Sequence, residues 1–211
     1  MTDQKRTYRK RRRAEQEEQT RRRITESAVE LHEKLGPART SISSVAELAG
    51  VRRSTVYRHF PDEAALFAAC SAHWSASHPP PDLSGWTAIE DPDDRLQLGL
   101  AELYAYYRGT EQMLDKLLRD EASVPIIGQL FAAYHEYVAA AGDALLHGRT
   151  ARGRRRELTR AAIGHALSFA TWRSLTREQR LDEARVVELM CSLVAHAARP
   201  AGQGARAQRA G

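Results

Sequence analysis

Apolar residues recur three and four positions apart through most of this chain, the period of a helix buried on one side. Ile24, Ala28, Leu31 and Leu35 make one such stripe, and Gly36-Pro37 ends it. Leu66, Phe67, Cys70 and Trp74 make another, with Asp62 placed to cap its start. Beyond His78-Pro79-Pro80-Pro81, where prolines predict an extended connector, the same period returns. Residues 94–108 carry Leu96, Leu100, Leu103 and Tyr107, and residues 110–119 carry Met113, Leu114, Leu117 and Leu118. Residues 126–146 carry Ile127, Leu130, Phe131, Tyr134, Val138, Ala141 and Leu145. Residues 154–172 carry Leu158, Ala161, Ala162, His165, Phe169 and Trp172, and residues 182–196 carry Val186, Leu189, Met190, Leu193 and Val194. No segment alternates apolar and polar positions between hairpin turns, so the pattern predicts an all-α protein of about nine helices.

Between the first two stripes the pattern tightens into two short helices around a glycine. Ser41 or a neighbour can cap the first, whose apolar face is Val45, Ala46 and Ala49. Gly50 follows where the chain must turn, since a positive φ suits Gly. In the second short helix Val56 and Phe60 can anchor to a core, which leaves Arg53, Ser54, Thr55, Tyr57, Arg58 and His59 for another task. That is the layout of a helix-turn-helix over about residues 41–60, whose second helix enters the major groove of DNA.

Charge supports this division. Through Phe60 there are 15 Lys and Arg against 8 Asp and Glu, whereas the remainder has 17 against 19. The basic third is the part suited to a polyanion. Within it, Lys5, Arg6, Arg9, Lys10, Arg11, Arg12 and Arg13 have no apolar neighbours to pack with, which predicts a disordered basic arm over residues 1–14. Such an arm is either a solvated tail or a segment that follows phosphates or enters the minor groove.

Other chemistries are weakly represented. No run of about 18 apolar residues and no signal-peptide core occurs, so a cytoplasmic protein with no membrane partner is expected. Cys70 and Cys191 are far apart in apolar helical contexts and are expected to be reduced and structural. The eight histidines are scattered with no HExxH, and no phosphate loop or Ser-His-Asp set stands out. Asp91, Asp93 and Asp94 suit a helix cap. No catalytic residue, metal site or cofactor is expected.

From about Gln16 to Trp74 the chain resembles the DNA-binding domain of TetR-family transcriptional regulators. Val45-Ala46, Ala49-Gly50-Val51, Thr55-Val56-Tyr57-Arg58-His59-Phe60 and Pro61-Asp62 carry the resemblance. It implies a three-helix helix-turn-helix domain over residues 15–74 and a connector over 75–92. A helical ligand-binding and dimerisation domain over 93–199 and a disordered tail over 200–211 complete the expected organisation. DNA contacts are expected from Ser43, Arg52, Arg53, Ser54, Thr55, Tyr57, Arg58 and His59: Arg52, Arg53 and Ser54 stand nearest the base edges with Tyr57 one turn later, while the resemblance assigns Thr55, Tyr57 and His59 largely to phosphate contacts, to which Ser43 adds another. Two positions depart from the family's pattern. Arg52 stands where a small capping residue is usual, and Glu63 stands where Lys is usual.

The resemblance also implies a homodimer that binds a palindromic operator in double-stranded DNA and responds to a small-molecule effector. The last two helices are the expected dimer interface, through Phe169, Val186, Val187, Met190, Leu193, Val194 and Ala197. Tyr104, Tyr107, Met113, Phe131, Tyr134, His135, His165 and Trp172 are the expected pocket lining, suited to an aromatic or lipophilic ligand. A ligand-responsive repressor is thus the leading reading. The alternative is an architectural DNA binder of weak sequence preference, driven by the basic arm.

Overall fold

The computed structural model describes residues 2–199, and the expected tail over 200–211 lies outside them. Among the described residues there are ten α-helices and no strand. They are α1 (Thr2–Leu35), α2 (Ile42–Leu48), α3 (Arg53–His59), α4 (Glu63–Ser77) and α5 (Leu83–Thr87), followed by α6 (Pro92–Asp120), α7 (Pro125–Leu146), α8 (Arg154–Leu167), α9 (Phe169–Arg173) and α10 (Glu183–Ala198).

The all-α expectation holds, with four local differences. The arm expected to be disordered is instead the N-terminal part of α1, which begins at Thr2 rather than near residue 15. No Pro or Gly interrupts it, and Arg11–Glu15 and Arg13–Glu17 pair one turn apart at 3.0 and 3.1 Å. The stretch 75–92, expected to be extended, contains α5, because Trp86 is a core residue and Asp82 caps the turn that carries it. The two helices expected over 94–108 and 110–119 are one, since Gly109 is tolerated within a run of good helix formers. The single helix expected over 154–172 breaks at Ser168, whose ψ of 127° is extended.

The helices group into two compact units whose bounds differ from the expected 15–74 and 93–199. The first holds residues 2–79 together with Thr110–Ala132, and the second holds Pro80–Gly109 and 133–199.

The first unit has a core of Ile24, Ala28, Ile42, Val45, Ala46, Ala49, Val56, Phe60, Leu66 and Cys70. Leu35, the last residue of the first stripe, is exposed, because the chain leaves α1 at Gly36 with φ +90°. Only glycine fits there. A Cβ would stand 2.4 Å from Arg119 Nη2 and 2.6 Å from Asp120 Oδ2. Asp120 is buried and fastens the turn by accepting the Ala38 backbone N–H at 3.0 Å. His32 is also buried and stacks on Phe67 with ring centroids 4.8 Å apart. Burial lowers the pKa of His32 to about 4, since a charged ring would lose its hydration.

The second unit is held by polar side chains that reach across to main-chain carbonyls. Arg95 is 2% exposed and donates to the carbonyls of Ile89, Glu90, Ala144 and His147. Ala144 and His147 lie at the C-terminal end of α7, where free carbonyls favour a cation. Trp86 is fully buried and donates through Nε1 to Glu102 Oε2 at 2.6 Å. At the Ser168 break, the Tyr104 hydroxyl donates to the Ala166 carbonyl at 2.8 Å and the Tyr107 hydroxyl to the Leu167 carbonyl at 2.6 Å. In an unbroken helix those carbonyls would accept backbone N–H groups four residues on. The two tyrosines take their place.

Candidate nucleic-acid interface

The geometry of α2 and α3 starts from local signals. Ser41 caps α2: its Oγ accepts from the Ser44 N–H at 3.1 Å, and Ser44 Oγ accepts from the Ser41 N–H at 3.1 Å. Such a reciprocal pair satisfies two donors that the helix start leaves free. Gly50 takes φ +63° and the Val51 N–H closes the corner on the Ala46 carbonyl at 2.9 Å. Val56 and Phe60, both buried, then pin α3 to the core.

Fixing those two residues decides what the rest of α3 can do. Arg52, Arg53, Ser54, Tyr57 and Arg58 are exposed, and Thr55 and His59 are half-buried. Arg53 Nη2 donates to the Tyr57 hydroxyl at 3.2 Å, and the guanidinium lies 5.6 Å from the ring centroid. That hydrogen bond raises the Arg53 pKa further. The two side chains therefore present one cationic and aromatic surface a turn long. Arg52 occupies the N-cap position of α3 and makes no side-chain cap bond, so its guanidinium is left for other partners.

Arg21 on α1 was not singled out from the sequence. Its Nη1 donates to the His59 carbonyl at 2.8 Å, and its guanidinium sits 4.3 Å from the centre of the Phe60 ring. It thus caps the C-terminal end of α3 with a cation, where the helix dipole favours one. The available signal was an arginine three residues before Ile24, at the edge of an apolar stripe. His59 feels the same neighbourhood. Burial first, then Arg58 and Arg21, lower its pKa, and its Nε2 is buried with no hydrogen-bond partner among the described residues. His59 is accordingly a neutral packing residue before any polyanion approaches.

Ser43 is exposed in the first turn of α2. Asp62 caps α4, with Oδ1 accepting from the Ala65 N–H at 2.7 Å, and Glu63 is exposed beside it. These carboxylates make the start of α4 the acidic edge of an otherwise basic face.

The residues expected to line a pocket divide between the units. Met113 and Phe131 are buried in the first. In the second, Tyr104, Tyr107 and Trp172 are fully buried, Tyr134 is half-buried, and His135 and His165 are exposed. Tyr107, Phe169 and Trp172 form an aromatic cluster with ring centroids 5.4 to 5.8 Å apart. The Tyr134 hydroxyl lies 3.3 Å from that of Tyr107. Burial raises the pKa of both Tyr104 and Tyr107, so their hydroxyls stay protonated donors. Trp172 Nε1 is buried with no hydrogen-bond partner among the described residues.

The expected interface residues are mostly enclosed within their own chain. Phe169, Val186, Val187, Met190 and Val194 are buried, because α10 lays that stripe against α8. Leu193 is 39% exposed and Ala197 is half-buried. The open apolar residues on these helices also include Leu189 and Leu158, 43% and 49% exposed. No helix among the described residues is long and apolar enough to cross a membrane.

Comparison with known proteins points the same way for the first unit. Residues 24–70 match the model for bacterial regulatory proteins of the tetR family. A stretch of 70 residues is 41% identical to the HTH-type transcriptional regulator TtgR of Pseudomonas putida, covering 32% of this chain and 33% of the relative. The chain thus spans about a third of the length of that curated relative. Among solved structures, a TetR-like transcriptional regulator from Rhodococcus sp. RHA1 matches with a TM-score of 0.58 at 17% identity, over 84% of this chain and 94% of that one. The regulator FadR of Bacillus subtilis, solved with stearoyl-CoA, matches with a TM-score of 0.54 at 15% identity, over 82% and 96%. At these identities the structural matches bear on the fold.

Proposed function

We propose that this chain, which carries a TetR-family helix-turn-helix domain, is a ligand-responsive repressor that binds a palindromic operator as a dimer in the cytoplasm. The observation that carries the reading is α3: Val56 and Phe60 hold it to the core while Arg52, Arg53, Ser54, Tyr57 and Arg58 stand exposed along seven residues. A helix of that size fits the major groove, and an arginine near its start can bind guanine O6 and N7 together, worth about 1–3 kcal/mol of discrimination. The exposure of Ser43 and the partial exposure of Thr55 support phosphate contacts from these two hydroxyls.

The dimer and the ligand rest on the second unit. Leu158, Leu189 and Leu193, exposed on the packed pair α8 and α10, support a self-complementary apolar face, which a two-fold four-helix contact would cover. The aromatic cluster of Tyr107, Phe169 and Trp172 supports an effector with a lipophilic or aromatic body. A ligand that releases DNA must itself be bound more weakly when DNA is present, by the same factor.

Selection of genomic fragments by the purified protein at near-physiological salt tests this reading. An enriched, roughly palindromic sequence is the expected result. Retention of fragments with no shared sequence would favour the architectural alternative, which the exposed basic start of α1 supports.

A further inference from the structure

The described side chains of the first turns of α1 lie outside the core. Residues 6–18 are exposed throughout. Core packing on this helix begins at Ile24. Of the basic residues here, Arg11 and Arg13 are paired with Glu15 and Glu17. No ion pair engages Arg6, Arg9, Lys10 or Arg12 among the described residues. At about 100° per residue, Arg6, Arg9, Lys10, Arg12 and Arg13 fall within about 160° of the helix circumference together with Glu17, and Arg11, Glu15 and Glu18 lie on the other half.

That basic arc also has a direction. It includes the line of Ile24 and Ala28, the side by which α1 packs onto the helix-turn-helix. On the same side Arg21 holds the C-terminal end of α3. Arg6 and Lys10 therefore lie on the side of α1 that carries Arg21 and the recognition helix, while Arg9 and Arg12 turn away from it along the exposed flank.

From this we propose that the N-terminal turns of α1 are a rigid basic arm that binds the phosphates of duplex DNA flanking the stretch read by α3. The inference rests on the DNA-binding reading above. The arm's chemistry fits phosphates better than other partners. Its single large apolar side chain is Tyr8, 66% exposed, so it has no apolar face with which to enter a lipid surface or a protein groove. A row of guanidinium and ammonium groups matches a row of phosphates without reading bases. At 1.5 Å per residue, about 15 residues reach about 22 Å, or roughly six base pairs of flanking duplex.

The test compares wild type with the full-length variant Arg6→Ala/Arg9→Ala/Lys10→Ala/Arg12→Ala. Affinity is measured from 50 to 200 mM salt on three duplexes: the selected site, the site extended by ten base pairs on each side, and a scrambled duplex of the extended length. Because the four side chains are exposed, the variant is expected to melt as wild type does. The matched Arg→Lys, Lys10-retaining variant checks that charge is what matters. The account predicts a salt slope lower by about 3 to 4 per protomer, so the wild-type advantage shrinks about 100-fold between 50 and 200 mM salt. The loss is expected on site and scramble alike. The gain from the extended flanks disappears, and the Lys variant keeps both slope and gain. An unchanged slope would overturn the arm, as would a loss confined to the selected site. Loss of binding to anionic phospholipid vesicles with DNA binding intact would also overturn it, in favour of a membrane surface. Failure of wild type to bind any duplex would instead remove the DNA-binding reading itself.

Discussion

The two units use the same residue types in opposite ways. In the first, the cations and the hydroxyls that matter point outward: Arg52, Arg53, Ser54, Tyr57 and Arg58 are exposed, and small apolar residues fill the core behind them. In the second, an arginine and two tyrosines are turned inward, and each satisfies main-chain carbonyls far away in sequence. The helix-turn-helix of the first unit is shaped by signals within a few residues of one another, such as the Ser41–Ser44 pair and the Gly50 corner, and distant pairs such as Asp120 with Ala38 fasten the helices around it. The second depends on contacts about 50 to 60 residues apart. A polar side chain thus stands exposed along α3 and is turned into the fold at Arg95, Tyr104 and Tyr107, and its surroundings decide which.

Mutations can sharpen that contrast. The largest effect is expected at Arg95. Arg95→Met keeps the aliphatic volume but strands four carbonyls, two of them at the end of α7, and should lower stability by about 3–5 kcal/mol in urea unfolding. An effect under about 1 kcal/mol would mean that these carbonyls find other partners. Acidification is expected to act next, through the first unit. His32 has a folded pKa of about 4 against 6.5 unfolded, so between those values the unfolded state binds the extra proton. Stability conferred by this site is present above about pH 6.5 and is lost as pH falls towards 4, by about 2–3 kcal/mol. In His32→Phe the melting temperature should depend less on pH over that window, and an identical pH profile would contradict the assignment.

Tyr107→Phe should lower stability by about 1–3 kcal/mol, because the Leu167 carbonyl loses its donor at the helix break. Arg52→Ser is the smallest in stability and the most diagnostic in sign. Serine can cap α3 where arginine makes no cap bond, so stability should rise by about 0.5–1 kcal/mol while DNA affinity falls. Parallel changes in both quantities would place Arg52 in the fold rather than at the interface.

The same contrast explains what the sequence could and could not reveal. Helix type, the Gly36 stop, the Ser41 cap and the outward face of α3 were legible because each is set by neighbours within one turn. The helical start of α1 was missed because a run of like charges argues for disorder, and Glu15 and Glu17 sit just beyond it. Trp86 was read as connector because its helix has only five residues. The stripe of Val186, Met190 and Val194 was legible as apolar, but periodicity does not say whether the chain itself or a second copy covers it. Here α8 covers it, and Leu158, Leu189 and Leu193 are left outside. Tyr104, Tyr107 and Trp172 posed the same problem, since an aromatic residue has one sequence signature in a core and in a pocket.

The central claim is that α3 reads bases, and the double variant Arg53→Ala/Tyr57→Ala tests it most directly. Its affinity for the selected site and for a scrambled duplex would be measured side by side at one fixed salt concentration. Arg53 and Tyr57 hold each other at 3.2 Å and are exposed, so their removal should leave the fold intact. The account predicts that affinity for the site falls at least tenfold more than affinity for the scramble, as loss of about 1.4 kcal/mol or more of base discrimination requires. Equal losses on both duplexes would contradict it, and would make α3 a phosphate-binding helix on a protein that does not read sequence.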